Sequence, residues 1–355
     1  MTLAPQRDVL ALARVDDGSL ATRALSACGW LEKGDLQDPR LRVETLSRFH
    51  VVSRVTAPDG RMAIVKYPAK GAASGGRNLA RELYVYRLAR WKPGIASALP
   101  RPILLDEARQ ILAVEYLGHA GSEWPLHFAP YPITLPAVAA RLGMAMAKWH
   151  GDTTEVSLLP SLSAGILHLG NDTETATADR AAGSARFMRF LADDTVFSQL
   201  LAEAQHLYRP SCLIHGDIRG DNWVLQDDEL KLIDWEMSGL GDPAWDIAGT
   251  LAEMVLQAIR DGIGAEPGMS GWPRTVETLA PIFLNAYRQT DTCDRLVPFT
   301  AARLLHVASE WVDAAAPLVN EDSDFTETGV MPILTTVRIL CEKRTQATDW
   351  FTPWT

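Results

Sequence analysis

Residues 213–248 read LIHGDIRGDNWVLQDDELKLIDWEMSGLGDPAWDIA, and no other stretch restricts the chain as much. Short apolar runs alternate here with polar residues at set places. LIHGD closes one run at Asp217, inside a tight loop between Gly216 and Gly220. Asn222 opens the run NWVL, and KLID closes a third run at Asp234. Runs of this length are too short for helices and predict short strands. A carboxylate, a carboxamide and a second carboxylate are thereby placed at strand ends beside loops. Hard oxygen donors of this kind suit Mg²⁺, which keeps waters and takes few protein ligands. A carboxylate without metal duty can take a proton from an attacking hydroxyl.

The rest of the chain supplies the setting. Its 355 residues suggest two domains at about 150 residues each. Partial alternation and β-branched residues predict strands over 42–49 and 51–57. Pro58-Asp59-Gly60 is a turn, and RMAIVK over 61–66 is the strand after it. A small-residue loop (69–76), a helix over 78–91 and a hairpin from 103–106 and 111–117 follow. The aperiodic, Gly/Pro-rich 118–132 reads as a linker. Helical spacing then marks 136–150, 185–207, 243–263, 273–287, 298–315 and 332–343. The expected organisation is a helical N-terminal extension (1–40), a β-rich domain (41–117) and a mostly helical domain (118–355).

Composition excludes several classes of function. Lys and Arg total 34 against 44 Asp and Glu, so the net charge is −10. Sequence-blind nucleic-acid binding needs the opposite balance. The cysteines Cys28, Cys212, Cys293 and Cys341 lie far apart, without a CxxC pair or zinc spacing. His119, His127, His168 and His306 have no metal-ligand spacing either. There is no basic start with an apolar core to read as a secretory signal, and no apolar run long enough to span a membrane. A cytoplasmic location is expected.

The HGDxxxxN of residues 215–222, the IDWE of 233–236 and the GLGDPAWDIA that follows resemble the aminoglycoside phosphotransferase and choline kinase superfamily. That superfamily is related to protein kinases. AIVK ending at Lys66, Glu82 in the next helix, ILAVEYL ending at Leu117 and the helix ending AKWH at His150 extend the resemblance over about residues 41–250. It implies a two-lobed α+β protein-kinase-like fold and an ATP- and Mg²⁺-dependent phosphotransferase with an alcohol as acceptor. By the same resemblance, Asp217 orients the acceptor hydroxyl and takes its proton, and His215 shapes the loop. Asn222 and Asp234 hold Mg²⁺. Lys66 holds the α- and β-phosphates, steadied by Glu82. Glu115, Tyr116 and Leu117 form the segment whose backbone meets adenine.

Other positions admit two readings. Arg219 is either a cation for the developing phosphoryl charge or a solvent-facing side chain. Glu236 is either a second Mg²⁺ ligand or part of a hydrogen-bond network. Asp246 is expected to brace the catalytic loop. No GxGxxG precedes Lys66. The corresponding turn is SRFH (47–50), where Ser47, Arg48 or backbone amides are the candidates for covering phosphate. Trp149, Trp235 and Trp245 are expected in the core, while Trp311, Trp350 and Trp354 are either core or the wall of an acceptor pocket. Glu310, Asp313, Glu321, Asp322 and Asp324 are the carboxylates on offer to an acceptor. Three functions remain: a small-molecule kinase, a peptide Ser/Thr kinase of ribosomal-peptide biosynthesis working with a lyase, and an inactive pseudokinase. The intact Lys66, Glu82, Asp217, Asn222 and Asp234 speak against the third.

Overall fold

The computed structural model describes residues 17–47, 50–68, 75–118, 135–154, 165–168, 182–226, 229–260, 274–288, 293–315 and 329–344. Contacts divide the chain into two compact units. One comprises Met1–Ala120 with Trp223–Ser238, the other Gly121–Asn222 with Gly239–Thr355.

The first unit is built on an antiparallel sheet of β1 (Arg42–Ser47), β2 (His50–Thr56), β3 (Met62–Pro68), β4 (Pro102–Asp106) and β5 (Ile111–Glu115), in the order β1-β2-β3-β5-β4. The turn between β2 and β3 closes as its sequence predicts. Gly60 takes φ +89°, and Asp59 Oδ1 accepts the Arg61 N–H at 3.0 Å. Because side chains alternate faces along a strand, Val51, Val55, Ala63, Val65 and Ala113 share one side. They pack with Ala21, Ala24 and Leu25 of the N-terminal helix α1 (Asp17–Ala27) in one apolar cluster. Lys66 lies between the buried Val65 and Tyr67, so it points to the other side, toward α2 (Gly75–Leu88). A short α3 (Pro93–Ala98), which the sequence does not announce, separates α2 from β4.

The segment Trp223–Ser238 folds as a hairpin of β7 (Trp223–Gln226) and β8 (Glu229–Leu232), then a 3₁₀ turn, Trp235–Met237. The turn packs on α2 through the fully buried Trp235, and Lys231 Nζ donates to Ser97 O of α3 at 3.0 Å.

The second unit holds α4 (Leu135–Asp152), α5 (Ala182–Asp193), α6 (Thr195–Leu207), α7 (Pro243–Arg260), α8 (Arg274–Tyr287), α9 (Cys293–Ala315) and α10 (Met331–Glu342). Trp149, Phe187, Phe197, Trp245, Phe283 and Phe299 are its largest buried side chains. Two helices differ from their sequence pattern. The apolar spacing over 185–207 is continuous, yet the helix breaks at Asp194, whose backbone is extended. Its carboxylate accepts the Val196 and Phe197 N–H groups and caps α6 instead. Pro298 does not start a helix either. It sits inside α9, which begins at Cys293. A short pair of strands, β6 (Cys212–Ile214) and β9 (Gly239–Gly241), flanks the start of α7, and β9 carries no apolar run that would betray it. Asp242 caps α7 by accepting the Ala244 N–H at 2.9 Å, with Pro243 as the first helical residue.

The loop 69–74, the linker residues 119–132 and the turn residues Arg48 and Phe49 lie outside the described residues. So do His119, His127, Glu321, Asp322, Asp324, Trp350 and Trp354.

Candidate active site

Two clusters of charge carry the residues singled out from the sequence. The first belongs to the sheet unit. Lys66 Nζ donates to both Glu82 oxygens, at 2.9 and 3.0 Å, and to Asp234 Oδ1 at 2.8 Å. The Glu82 side chain is 3% exposed and that of Asp234 43%. Burial acts to lower the Lys66 pKa, but the two carboxylates outweigh it and hold the ammonium above the usual lysine range. Burial, opposed by Lys66 and aided by the Asp234 charge, keeps the Glu82 carboxyl above its ordinary value. Asp234 is a non-glycine residue in the left-handed region, at φ 67° and ψ 52°. Asp is among the few residues that tolerate it, at a local cost that clusters at functional sites. Glu236 lies two residues on, close enough for its charge to act on Glu82.

At the end of β5 the segment 115–117 is tied into the sheet. The Glu115 side chain accepts from Arg101 N and Nε, at 3.0 and 3.1 Å. Tyr116 N–H donates to Met62 O at 3.1 Å, and Leu117 is buried. Arg54 of β2 lies over the Tyr116 ring at 5.5 Å. Ser47 ends β1 opposite Val52; its side chain is outside the described residues.

The second cluster belongs to the helical unit. Gly216 takes φ +83°, which turns the chain sharply before Asp217. The loop is held by its backbone. Buried Asp246 of α7 accepts the His215 N–H at 2.7 Å and the Gly216 N–H at 2.9 Å. His150 of α4 joins Asp246 (3.2 Å) to the Tyr287 hydroxyl (2.8 Å). Trp245 Nε1 donates to Gly216 O at 3.1 Å. Gly249 lets α7 approach closely, since a Cβ there would stand 2.9 Å from Ile218 O. His215 is fully buried, and its Nδ1 accepts the Asp217 N–H at 3.3 Å, so it shapes the loop from within.

Asp217 itself lies between two guanidinium groups. Arg219 Nε donates to its Oδ2 at 3.0 Å, and Arg303 Nη2 reaches its Oδ1 at 3.4 Å. Burial acts to raise the carboxyl, but Arg303, Arg219 and His215 outweigh it and hold Asp217 well below the usual carboxylate range. Asn222 donates Nδ2 to Asp217 O at 2.8 Å, and its Oδ1 has no donor among the described residues. A carboxamide oxygen here, and the Asp234 carboxylate in the sheet unit, are each hard donors of the kind that Mg²⁺ takes. Among the described residues, no group of three or more His, Cys, Asp or Glu forms a metal cage.

Arg219 is not solvent-facing. It is half-buried and makes a second ion pair, Nη2 to Glu310 Oε1, at 3.0 Å. Arg303 escaped the sequence reading. Its side chain is 3% exposed. It stacks over Trp245 at 5.2 Å and donates to Ile218 O at 3.1 Å. The available signal was a lone arginine in the apolar run TAARLLHVA of α9. Trp149, Trp235 and Trp245 are core residues, as expected, while Trp311 is partly buried.

The sheet unit, the helical unit and the motif-bearing loops define a protein-kinase-like phosphotransferase scaffold. The sequence profile of the phosphotransferase enzyme family matches residues 47–277, about two-thirds of the chain, and the protein belongs to that family. Among curated proteins, Protein LicA of Haemophilus influenzae is 54% identical over 39 residues, which span 11% of this chain and 15% of LicA. Among solved structures, the amicoumacin kinase hAmiN in complex with AMP-PNP, Ca²⁺ and Ami aligns with a TM-score of 0.59 at 15% identity, over 87% of this chain and 90% of that one. A choline/ethanolamine kinase family protein from Mesorhizobium loti aligns with a TM-score of 0.56 at 18% identity, over 94% and 98% of the two chains. These likenesses share the fold. Among the described residues, no helix is long and apolar enough to cross a membrane.

Proposed function

We propose that the protein transfers the γ-phosphoryl group of ATP, bound with Mg²⁺, to an alcohol hydroxyl of a small molecule. The observation that carries this reading is Asp217, kept ionised on a loop whose backbone Asp246 and Arg303 hold in place. Asp217 accepts a hydrogen bond from the acceptor hydroxyl and takes its proton. The acceptor oxygen forms its bond to phosphorus as the bridging oxygen–phosphorus bond breaks and ADP leaves. Such a transfer needs positioning and charge stabilisation more than covalent help.

Lys66, aimed by Glu82, holds the α- and β-phosphates, and the backbone at 115–117 receives the adenine. Asn222 and Asp234 each offer an oxygen to Mg²⁺, which when bound neutralises charge on the phosphates, and Glu236 assists. Ser47 belongs to the turn that covers the phosphates. Arg219 offers positive charge to the transferring phosphoryl group. In this reading the sheet unit handles nucleotide and the helical unit the acceptor.

Relatives named for choline, ethanolamine and amicoumacin favour a small molecule over a peptidyl Ser/Thr, and they lend no support to a lyase partner. Glu310 is engaged by Arg219, so one of the few described carboxylates of the late helices is not open to an acceptor's ammonium groups. That favours an acceptor of mixed polar and apolar character over a polycationic sugar. The test is ADP release from Mg–ATP across choline, ethanolamine, kanamycin-type aminoglycosides, macrolides and Ser/Thr peptides. Turnover with at least one non-peptide acceptor, lost in Asp217→Asn and Asp234→Ala, is expected. Equal turnover in wild type and both variants, or turnover with peptides alone, overturns the reading.

A further inference from the structure

The Arg219–Glu310 contact reaches across 91 residues of chain, from the catalytic loop to α9. Arg219 uses Nε for Asp217 and Nη2 for Glu310, both at 3.0 Å. Among the described residues its Nη1 has no protein partner. The guanidinium is planar, so fixing Nε and Nη2 fixes the direction of Nη1 as well. A side chain with four flexible torsions is thus pinned at two of its three head-group nitrogens, with the Nη1 N–H groups left over for an anion.

We propose that Glu310 is a positioning residue for phosphoryl transfer: it holds Arg219 so that Nε keeps the Asp217 carboxylate oriented while Nη1 is presented to the transferring phosphoryl group. The inference rests on the reading of Asp217 given above. Glu310 suits the task because α9 is rigidly packed around it. Ser309 and Val312 are buried, and Arg303, two turns earlier on the same helix, grips the other edge of the loop. One helix thereby holds Asp217 from two sides, directly through Arg303 and at one remove through Glu310. His306, one turn before Glu310, stands 3.6 Å from the same Oε1 and limits the rotamers open to it. Lysine at 219 could not do the same, because a single ammonium group has no rigid fork to pin against two carboxylates.

The test uses the full chain, with ADP release from Mg–ATP read both with water as acceptor and with whichever acceptor of the panel turns over. Glu310→Gln keeps the shape and removes the charge. A misplaced group can cost up to about 10²-fold, and loosening one short of removal is expected to cost about tenfold in kcat with the KM for Mg–ATP within about twofold. Glu310→Gln should add nothing in an Arg219→Gln background, an outcome that a purely structural role of Glu310 would not produce. Arginine ¹⁵Nε–¹H spectra supply a readout independent of turnover. The Arg219 signal, assigned by its loss in Arg219→Lys, should move toward the solvent-exchanging position in Glu310→Gln while the Arg303 signal stays put. An unmoved Arg219 signal, or equal losses from Glu310→Gln with and without Arg219, overturns the inference. If Asp217→Asn retains full turnover, the reading of Asp217 fails and the inference with it. If Asp217→Asn is inactive and Glu310→Gln is silent, the inference alone fails.

Discussion

The two charged clusters are mirror images in sign. In the sheet unit one cation, Lys66, lies between two carboxylates, Glu82 and Asp234. In the helical unit one carboxylate, Asp217, lies between two guanidinium groups, Arg219 and Arg303. The first arrangement leaves negative charge over and suits a site that gains a divalent cation. The second leaves one positive charge over, which Glu310 balances through Arg219. The supports differ too. Lys66 is aimed by a side chain on a neighbouring helix, whereas Asp217 is aimed by a backbone loop tied at 215, 216 and 218. Ionic aim depends on charge and pH, and backbone aim on packing.

The sharpest way to break the comparison is to remove the central charge of the helical cluster. Asp217→Asn should lower kcat by about 10² to 10⁴-fold, the range of a general base, with nucleotide affinity nearly unchanged. A loss under about threefold in single-turnover rate would rule out the role given to Asp217.

Next comes its backbone support. Arg303→Leu leaves Asp217 Oδ1 and the Ile218 carbonyl without their donor and removes the stack on Trp245. Breaking a buried charge pair costs about 3–5 kcal/mol; partial exposure of Asp217 puts this one near the lower end. Chemical denaturation measures it, and a change below about 1 kcal/mol would mean that the loop holds its shape without α9.

In the sheet cluster, Glu82→Gln removes the aim of Lys66 while Asp234 still pairs with it. Nucleotide affinity and kcat should fall together by about tenfold, less than a missing electrostatic donor costs. A loss as large as that of Asp217→Asn would show that the two clusters are not supported differently.

The smallest effect separates the clusters by pH. Asp217 has its folded pKa below the unfolded value. Its stabilisation is therefore complete above the ordinary carboxylate pKa of about 3.9 and fades as pH falls beneath it. Lys66 has its folded pKa above the unfolded value, so its stabilisation is complete below about 10.4 and fades as pH rises past that point. The Tm gap between wild type and Asp217→Asn should shrink between pH 6 and pH 3. The gap for Lys66→Met should also shrink in alkali, where that for Asp217→Asn stays level. Parallel pH profiles for the two variants would contradict the assigned ion pairs.

Much of the architecture is legible in the residues alone, because it rests on local signals. Period-two alternation around Asp59-Gly60 marks β2 and β3, helical spacing marks α4 and α7, and Asp242-Pro243 marks where α7 starts. Lys66 after the apolar run AIV, Glu82 in the next helix and the HGDxxxxN and IDWE motifs could be picked out for the same reason, since each is a short pattern with its own chemistry, although β3 runs on past Lys66 to Pro68. Local signals fail where a side chain finds its partner elsewhere. The helical spacing over 185–207 cannot show that Asp194 caps a new helix, because capping competes with continuation only once Arg338 and the packing of Phe197 are in place. Nor does anything near Trp223–Ser238 announce that this hairpin folds with the sheet unit.

The sequence by itself determined the family, the longer strands and helices, and which ionisable residues stand at the ends of apolar runs, all of which follow from neighbours a few residues apart. Only the tertiary structure decided what those charges face. Lys66 meets Asp234 from 168 residues away, Arg303 grips a loop 85 residues earlier, and Arg219 is claimed by Glu310 rather than by solvent. Charge acts through distance in space and exposure to water, and neither is set by separation along the chain.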